Sequence, residues 1–161
     1  MSTRHPLPRQ WLVIAPRTPD PLAAAARMPR GSGILIVDAC LARADRVTLR
    51  RIARRRGLLV VEDDGDRVAR VHSMRELRRA GSRRTKWIFL SPLFPTASHP
   101  GAAPLPLMRA ATLARLAAVP VVALGGMRAR RFARVHRLGF AGWAGIDAYA
   151  GKGRAVRRAP A

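Results

Sequence analysis

The chain has 161 residues, 48% of them hydrophobic, and carries 31 Lys and Arg against 9 Asp and Glu, a formal net charge of +22. This length and composition predict one globular domain, assigned to residues 1–150, followed by a disordered basic tail at 151–161. The sequence has no apolar run of about 18 residues, and its first ten residues lack the apolar segment of a secretory signal. The single Cys40 excludes a disulfide framework and Cys-rich zinc motifs. We therefore expect a cytoplasmic protein that does not enter the membrane.

The positive charge is carried almost entirely by arginine, because Lys86 and Lys152 are the only lysines. It is distributed over several segments, among them LRRIARRRG, RELRRAGSRRTK and RARRFARVHR. Such a distribution fits ordinary solvated helix faces. It also fits a protein that binds nucleic acid or another polyanion, although no zinc-finger, RRM, KH or basic-zipper pattern is present. Both interpretations stay open at this stage.

Strands and helices are predicted in alternation along the chain. The predicted strands lie at 11–15, 34–38, 58–62, 87–90, 121–124 and 143–148, and the helices at 21–27, 45–56, 73–80, 106–118 and 129–138. Asp20 followed by Pro21 is a typical helix start, Gly57 is a typical residue after a helix end, and Ser73 with Glu76 forms a capping box. Alternation at this spacing predicts an α/β fold with a parallel sheet.

The predicted α/β fold is a TIM-type (β/α) barrel with about seven units. A full eight-unit barrel needs roughly 200 residues or more, so this chain is short for one. The shortage falls between Asp63 and Val71, where the segment GDRVARVHS at 65–73 is interpreted as what remains after two units merged or one was deleted. The barrel is therefore expected to be incomplete, closed with one unit missing, or completed by a partner subunit.

Two stretches carry the residues that point to chemistry, WIFLSPLFPTASHPG at 87–101 and VPVVALGGM at 119–127. Each is an apolar strand that stops at small or proline residues, as buried parallel strands do before a functional loop. The first loop displays Thr96, Ser98 and His99, which can donate hydrogen bonds to an anion. Gly125 and Gly126 in the second leave backbone N–H groups open to a phosphate, although a tight turn alone would also explain them.

The segment from about Val71 to Tyr149 resembles the thiamine-phosphate synthase family, including its TenI-like relatives. The resemblance rests on the FPT loop, the strand that ends in GG, and the final LGFAGWAGIDAY. It implies a transferase that joins 4-amino-2-methyl-5-(diphosphooxymethyl)pyrimidine to a thiazole phosphate, with magnesium present. Pyrophosphate leaves and the thiazole nitrogen captures the pyrimidine cation, so the protein mainly aligns the substrates and stabilises charge.

The resemblance assigns several residues to the site. It implies that Thr96, Ser98, Gly125, Gly126, Gly145 and Ile146 bind the substrate phosphates, that His99 is catalytic, and that Asp63 is a magnesium ligand. His99 stands where the family usually has a lysine, so it neutralises the leaving diphosphate only when protonated.

The chain also departs from the family pattern. Asp147 replaces the usual serine of the last phosphate loop, and the segment Ile36-Val37-Asp38-Ala39-Cys40 replaces the Gln-x-Arg-x-Lys cluster that grips the pyrimidine diphosphate. The second metal carboxylate of the family falls in the shortened segment, where Asp64 or Asp66 would substitute for it.

Three functions stay open from the sequence. The first is a thiamine-phosphate synthase-like transferase. The second is a non-catalytic or TenI-like relative, such as a thiazole tautomerase, that binds one phosphate ligand. The third is a basic protein that binds nucleic acid or another polyanion. Small phosphate compounds are the expected partners of the first two, and a homo-oligomer remains open for all three.

Overall fold

The computed structural model describes residues 7–37, 40–63, 67–81, 84–96, 101–146 and 149. Over these residues, strands and helices alternate in chain order. They are β1 Gln10–Ile14, α1 Pro21–Arg27, β2 Gly33–Ile36, α2 Arg43–Arg56, β3 Leu59–Glu62, β4 Val68–Val71, α3 Met74–Gly81, β5 Trp87–Leu90, α4 Leu107–Leu116, β6 Val121–Ala123, α5 Ala129–Val135 and β7 Gly142–Gly145. A turn of 3₁₀ helix, His136–Leu138, extends α5.

The strands form one parallel sheet in the order β3-β2-β1-β7-β6-β5-β4. Pairing of β1 with β7 brings the first and last described strands together, with Leu12 opposite Gly145. The predicted TIM-type (β/α) barrel of about seven units is therefore confirmed. It is nearly closed, with β3 and β4 as its two edge strands.

The missing unit lies between those two edge strands, where the sequence predicted a shortage. Residues 63–67 link β3 to β4. This segment has too few residues to form the crossover helix that normally joins parallel strands. We call the gap between β3 and β4 the seam. The predicted loss of one βα unit is confirmed, and its position at the seam determines which side chains meet there.

The barrel interior is filled by alternate residues of the strands. Trp11 and Val13 of β1 lie there with Trp87 and Phe89 of β5, and Trp11 makes edge-on contacts with the Trp87 and Phe89 rings at 4.9 and 5.2 Å between centroids. The alternate residues on the outer side of the strands pack against the helices in two further clusters. Trp87 is thus a core residue.

The space for the Trp11 indole comes from a glycine on the neighbouring strand. Gly33 lies directly opposite Trp11 in the β1–β2 register. A Cβ atom at Gly33 would fall inside the indole ring's van der Waals surface. The absence of a side chain at Gly33 therefore leaves the space that the Trp11 indole fills, and the barrel interior stays closely packed.

Local signals in the sequence start the helices where predicted. Asp20 Oδ1 accepts a hydrogen bond from the Ala23 N–H at 3.0 Å and caps α1. Ser73 Oγ accepts from the Glu76 N–H at 3.3 Å at the start of α3. Among the described residues, no helix is long and apolar enough to cross a bilayer.

Candidate functional site

The glycine pair after β6 packs directly beneath the loop that follows β5. Gly125 and Gly126 have φ values of +89° and +61°, a region that side chains other than glycine rarely adopt. A Cβ on Gly125 would lie 2.7 Å from Pro92 Cα, and one on Gly126 would lie 2.5 Å from the Pro95 carbonyl oxygen. Both glycines are therefore required by the close approach of the two loops.

Hydrogen bonds fix how the peptide units of this pair are oriented. The Leu93 N–H donates to the Leu124 carbonyl at 3.0 Å, and the Phe94 N–H donates to the Gly125 carbonyl at 3.1 Å. Because C=O and N–H point in opposite directions in a trans peptide, the N–H groups of Gly125 and Gly126 point away from the β5 loop. Within the described part of the chain, neither N–H has a protein acceptor. Such half-buried N–H groups can bind an anion.

An arginine that the sequence did not single out supports the same loop. The Arg131 guanidinium donates a hydrogen bond to the Gly126 carbonyl and lies 4.9 Å from the centre of the Phe94 ring. Arg131 thus ties the first helical turn after the glycine pair to the loop after β5, and it places a positive charge next to the two glycines. Its only signal in the sequence is its position five residues after Gly126.

The predicted phosphate residues lie on three neighbouring strands. Thr96 is half-buried at the end of the loop that covers Gly126, one residue after Pro95. Gly145 is buried at the end of β7, next to β6, and Ile146 is half-buried against the barrel interior together with Leu124. The sequence therefore predicted residues that converge on one end of the barrel. Ser98, His99 and Asp147 lie outside the described residues.

The proposed magnesium ligand, Asp63, has an ion-pair partner across the seam. Asp63 Oδ2 lies 2.7 Å from Arg70 Nε, with the aspartate side chain 14% exposed and that of the arginine 38%. Arg70 is on the same face of β4 as Val68, which is packed in the barrel interior. The pair joins the ends of the two edge strands where the missing unit would otherwise stand.

This pairing decides how well the described residues fit a magnesium site. Mg²⁺ is normally held by carboxylates and waters in an octahedron. Asp63 is engaged by Arg70, and the described residues contain no group of three His, Cys, Asp or Glu that could hold a metal ion. Asp64 and Asp66 lie outside the described residues. The residues described do not by themselves fit a magnesium site.

Glu62, next to Asp63, turns outward to α2. Its carboxylate pairs with Arg46 at 2.7 Å and with Arg50 at 3.4 Å. His72 at the end of β4 is likewise engaged, since its backbone N–H donates to Glu76 Oε2 at 2.6 Å and its ring lies 3.1 Å from the same atom. Partial burial alone would raise the pKa of the Glu76 carboxyl, but these contacts with His72 outweigh it and lower that pKa below its usual value.

The segment that replaces the family's diphosphate-binding cluster is apolar where it is described. Ile36 is 3% exposed and packs in the cluster between the sheet and α1 and α2. Cys40 packs against the same outer cluster, with its Sγ 3.6 Å from the Ile14 carbonyl oxygen. Neither side chain is directed into the barrel.

We expect the Asp63–Arg70 pair to stabilise the seam. Asp63→Asn should lower the free energy of unfolding by about 1–2 kcal/mol, because the aspartate is mostly buried while the arginine is partly solvated. Thermal unfolding of Asp63→Asn, Arg70→Met, the double variant and the swapped pair Asp63→Arg/Arg70→Asp measures the coupling.

The swapped pair should recover part of the loss, since an ion pair works in either direction. A result of strictly additive effects would contradict a stabilising pair. A rise in Tm on adding magnesium that disappears in Asp63→Asn would instead identify Asp63 as a metal ligand.

The described structure is thus a reduced (β/α) barrel with a candidate anion site at the carboxyl ends of β5, β6 and β7. A family model described as thiamine monophosphate synthase matches residues 69–149, half of the chain. The chain therefore belongs to the thiamine monophosphate synthase family, as the resemblance indicated.

Two solved structures show how widely this fold is shared. A thiamine phosphate pyrophosphorylase from Pyrococcus furiosus is similar with a TM-score of 0.70 and 18% sequence identity, over 91% of this chain and 88% of that one. A FabK mutant from Thermotoga maritima is similar with a TM-score of 0.54 and 14% identity, over 89% of this chain and 62% of that one. At these identities the similarity concerns the fold alone. No curated protein sequence matches the chain.

Proposed function

We propose that this chain is a thiamine-phosphate synthase-like transferase that joins a hydroxymethylpyrimidine diphosphate to a thiazole phosphate. The observation that carries the proposal is the glycine pair beneath the β5 loop, whose two N–H groups point away from that loop. Family membership supplies the substrate class, because it covers the segment that contains both loops.

In this proposal the Gly125 and Gly126 N–H groups bind the phosphate of the thiazole. Arg131 holds the Gly126 peptide in position and contributes positive charge beside it. The C–O bond between the pyrimidine methylene and the diphosphate then breaks, and its electron pair leaves with pyrophosphate. The thiazole nitrogen donates its lone pair to the cation and forms the new C–N bond. The protein thus contributes substrate alignment and charge stabilisation, and the reaction does not require a general base.

The role of His99 as the cation near the leaving diphosphate belongs to the same proposal, together with Thr96 and Ser98 as hydrogen-bond donors. A protonated histidine would stabilise the departing charge, whereas a neutral one would not. Magnesium is part of the proposal only because the family implies it. To bind the ion, Asp63 would have to give up its ion pair with Arg70.

A second candidate is a TenI-like protein that binds the thiazole phosphate without transferring a pyrimidine. It is favoured by the apolar packing of Ile36 and the outward position of Cys40, where the family grips the diphosphate. The engagement of Asp63 by Arg70 favours it as well. In this case the phosphate half of the site is kept and the diphosphate half is lost.

Calorimetric titration separates the candidates. The purified chain is titrated with thiazole phosphate, then with the pyrimidine diphosphate with and without magnesium, and thiamine phosphate is measured as product. We expect both to bind and product to form. Binding of thiazole phosphate alone would favour the TenI-like candidate, and binding of neither would overturn both.

A further inference from the structure

Many of the arginines that are scattered along the sequence lie at one end of the barrel. Each of the five described helices has arginine in its last turn, and examples are Arg27 of α1, Arg55 of α2 and Arg115 of α4. Because helices run back between parallel strands, their last turns lie beside the amino ends of the strands. We call this end the amino-end face.

Basic residues also precede several strands at the same end. Arg9 comes directly before β1, Arg67 before β4 and Lys86 before β5, and all three are exposed. In the loop before β2, the Arg30 guanidinium lies 3.5 Å from the Arg55 carbonyl oxygen in the last turn of α2, so this loop meets a helix end. The face is therefore built from many elements that are distant in sequence.

Acidic residues of the described chain lie at the opposite end. They cap or begin helices, or lie at the end of β3 or directly after it, and they are Asp20, Asp45, Glu62, Asp63 and Glu76. Four ion pairs lie at that end too, and they join Glu62 to Arg46 and to Arg50, Asp63 to Arg70, and His72 to Glu76. The molecule is thus electrically polarised, with a mixed carboxyl end and an amino-end face that is basic throughout its described part.

Helix dipoles explain only part of this arrangement. A basic residue in a last helical turn is favourable, but one would suffice for each helix, whereas α2 ends with Arg54, Arg55 and Arg56. The dipole does not account for Arg9, Arg67 or Lys86, which precede strands. Positive charges that are concentrated on one face repel one another, which destabilises the isolated protein. A bound anion that covers the face would offset this repulsion.

We propose that the amino-end face binds the phosphate backbone of a nucleic-acid duplex without sequence specificity. Arginine offers a planar pair of N–H donors that matches phosphate oxygens. A duplex is favoured over a single strand because single-strand binding relies on stacking aromatics, and Trp11, Trp87 and Trp143 are all buried. A membrane surface is less suited, since such binding uses one continuous amphipathic helix rather than the ends of many elements.

The test measures fluorescence anisotropy of a labelled mixed-sequence DNA duplex of about 20 base pairs with the full chain, across a salt series. The amino-end variant replaces Arg54, Arg55, Arg78 and Arg137 with Gln. The matched variant replaces Arg17, Arg43, Arg75 and Arg109, which are exposed and lie in or before first helical turns at the other end. Both lose the same charge, and circular dichroism checks that both fold.

The amino-end variant should bind the duplex at least about tenfold more weakly, and the slope of log K against log salt should fall by about 3. The matched variant should change affinity by less than about threefold. Thiazole phosphate binding should be the same in the amino-end variant as in the unchanged chain, so this proposal and the proposed transferase fail independently.

Four results would overturn the proposal. The first is the absence of duplex binding at physiological salt, and the second is an equal loss of duplex affinity in the two variants. The third is tighter binding of a single strand of the same sequence. The fourth is preferred binding to vesicles of phosphatidylglycerol and phosphatidylcholine, if the amino-end variant loses that binding. Equal losses would mean that only net charge matters. The vesicle result would assign the face to a lipid surface.

Discussion

Gly126→Ala is expected to abolish measurable binding of thiazole phosphate. The new Cβ would lie 2.5 Å from the Pro95 carbonyl oxygen and 2.9 Å from the Arg131 guanidinium, so either the β5 loop or the Gly126 peptide must move. Any such movement turns the N–H groups away from a shared anion. Loss of aligned hydrogen bonds to a charged group weakens binding by about 1.5–3 kcal/mol each, or more than tenfold. Calorimetric titration measures the loss.

Gly57→Ala is the matched control for this variant. Gly57 has a φ of +62°, almost the same as that of Gly126, but it lies at the end of α2 with open space around its Cβ position. Both variants carry the same backbone strain, of order 1 kcal/mol, but only Gly126→Ala disturbs the loop contact. Equal loss of binding in both would mean that overall stability, and not the loop, controls it. Unchanged binding in Gly126→Ala would remove the glycine pair from the site.

Gly33→Ala is expected to be the most destabilising single methyl addition in the barrel. Its Cβ would overlap the indole ring of Trp11, which is fully buried and held by the Trp87 and Phe89 rings. Overpacking of this kind costs about 1–3 kcal/mol, and the rigid ring puts this position at the upper end or beyond. Urea unfolding followed by tryptophan fluorescence measures the change in free energy.

The partner substitution makes this prediction specific. Trp11→Leu alone should destabilise the chain by about 3 kcal/mol, because it leaves a cavity in the barrel. In the double variant Gly33→Ala/Trp11→Leu, the added methyl enters that cavity, so the combined loss should be smaller than the sum of the two single losses. Additive losses would show that the two side-chain positions do not compete for the same space.

Short-range signals made most of the fold predictable. Helix α1 begins after Asp20, α3 begins after Ser73, and β5 spans 87–90, as the sequence predicted. These features depend on residues within one turn of each other, so the sequence displays them directly. Strand ends were less certain. The last strand is predicted at 143–148 and is described as Gly142–Gly145, and residues 147 and 148 lie outside the described residues.

Long-range pairings were less accessible. Asp63 was assigned to magnesium by resemblance, and nothing in its local sequence indicates that Arg70 reaches it across the seam. Only the deletion of a whole βα unit brings the two edge strands close enough for that contact. Arg131 was missed for a similar reason, since its bond to the Gly126 carbonyl depends on how α5 leaves the turn.

The charge was the feature that the linear sequence represented least well. From the sequence, arginine clusters far apart in the chain fit either separate solvated helix faces or a polyanion-binding protein. In a (β/α) barrel, helix ends and strand starts lie on the same side. Basic segments that are one βα unit apart in the sequence therefore lie close together in space. The roles of Ser98 and His99 remain predictions, because these residues lie outside the described part of the chain.

The seam has a consequence for the behaviour of the protein in concentrated solution. A closed barrel has no edge strands, whereas this one leaves β3 and β4 without a neighbour on one side. Exposed strand edges attract strands from other molecules and lead to aggregation. Here each edge strand has four residues, Arg70 places a charge on β4, and the net charge of +22 makes copies repel one another. The excess of arginine thus also hinders pairing between the edge strands of different molecules. We expect this effect to weaken at high salt, because salt screens the repulsion between the molecules.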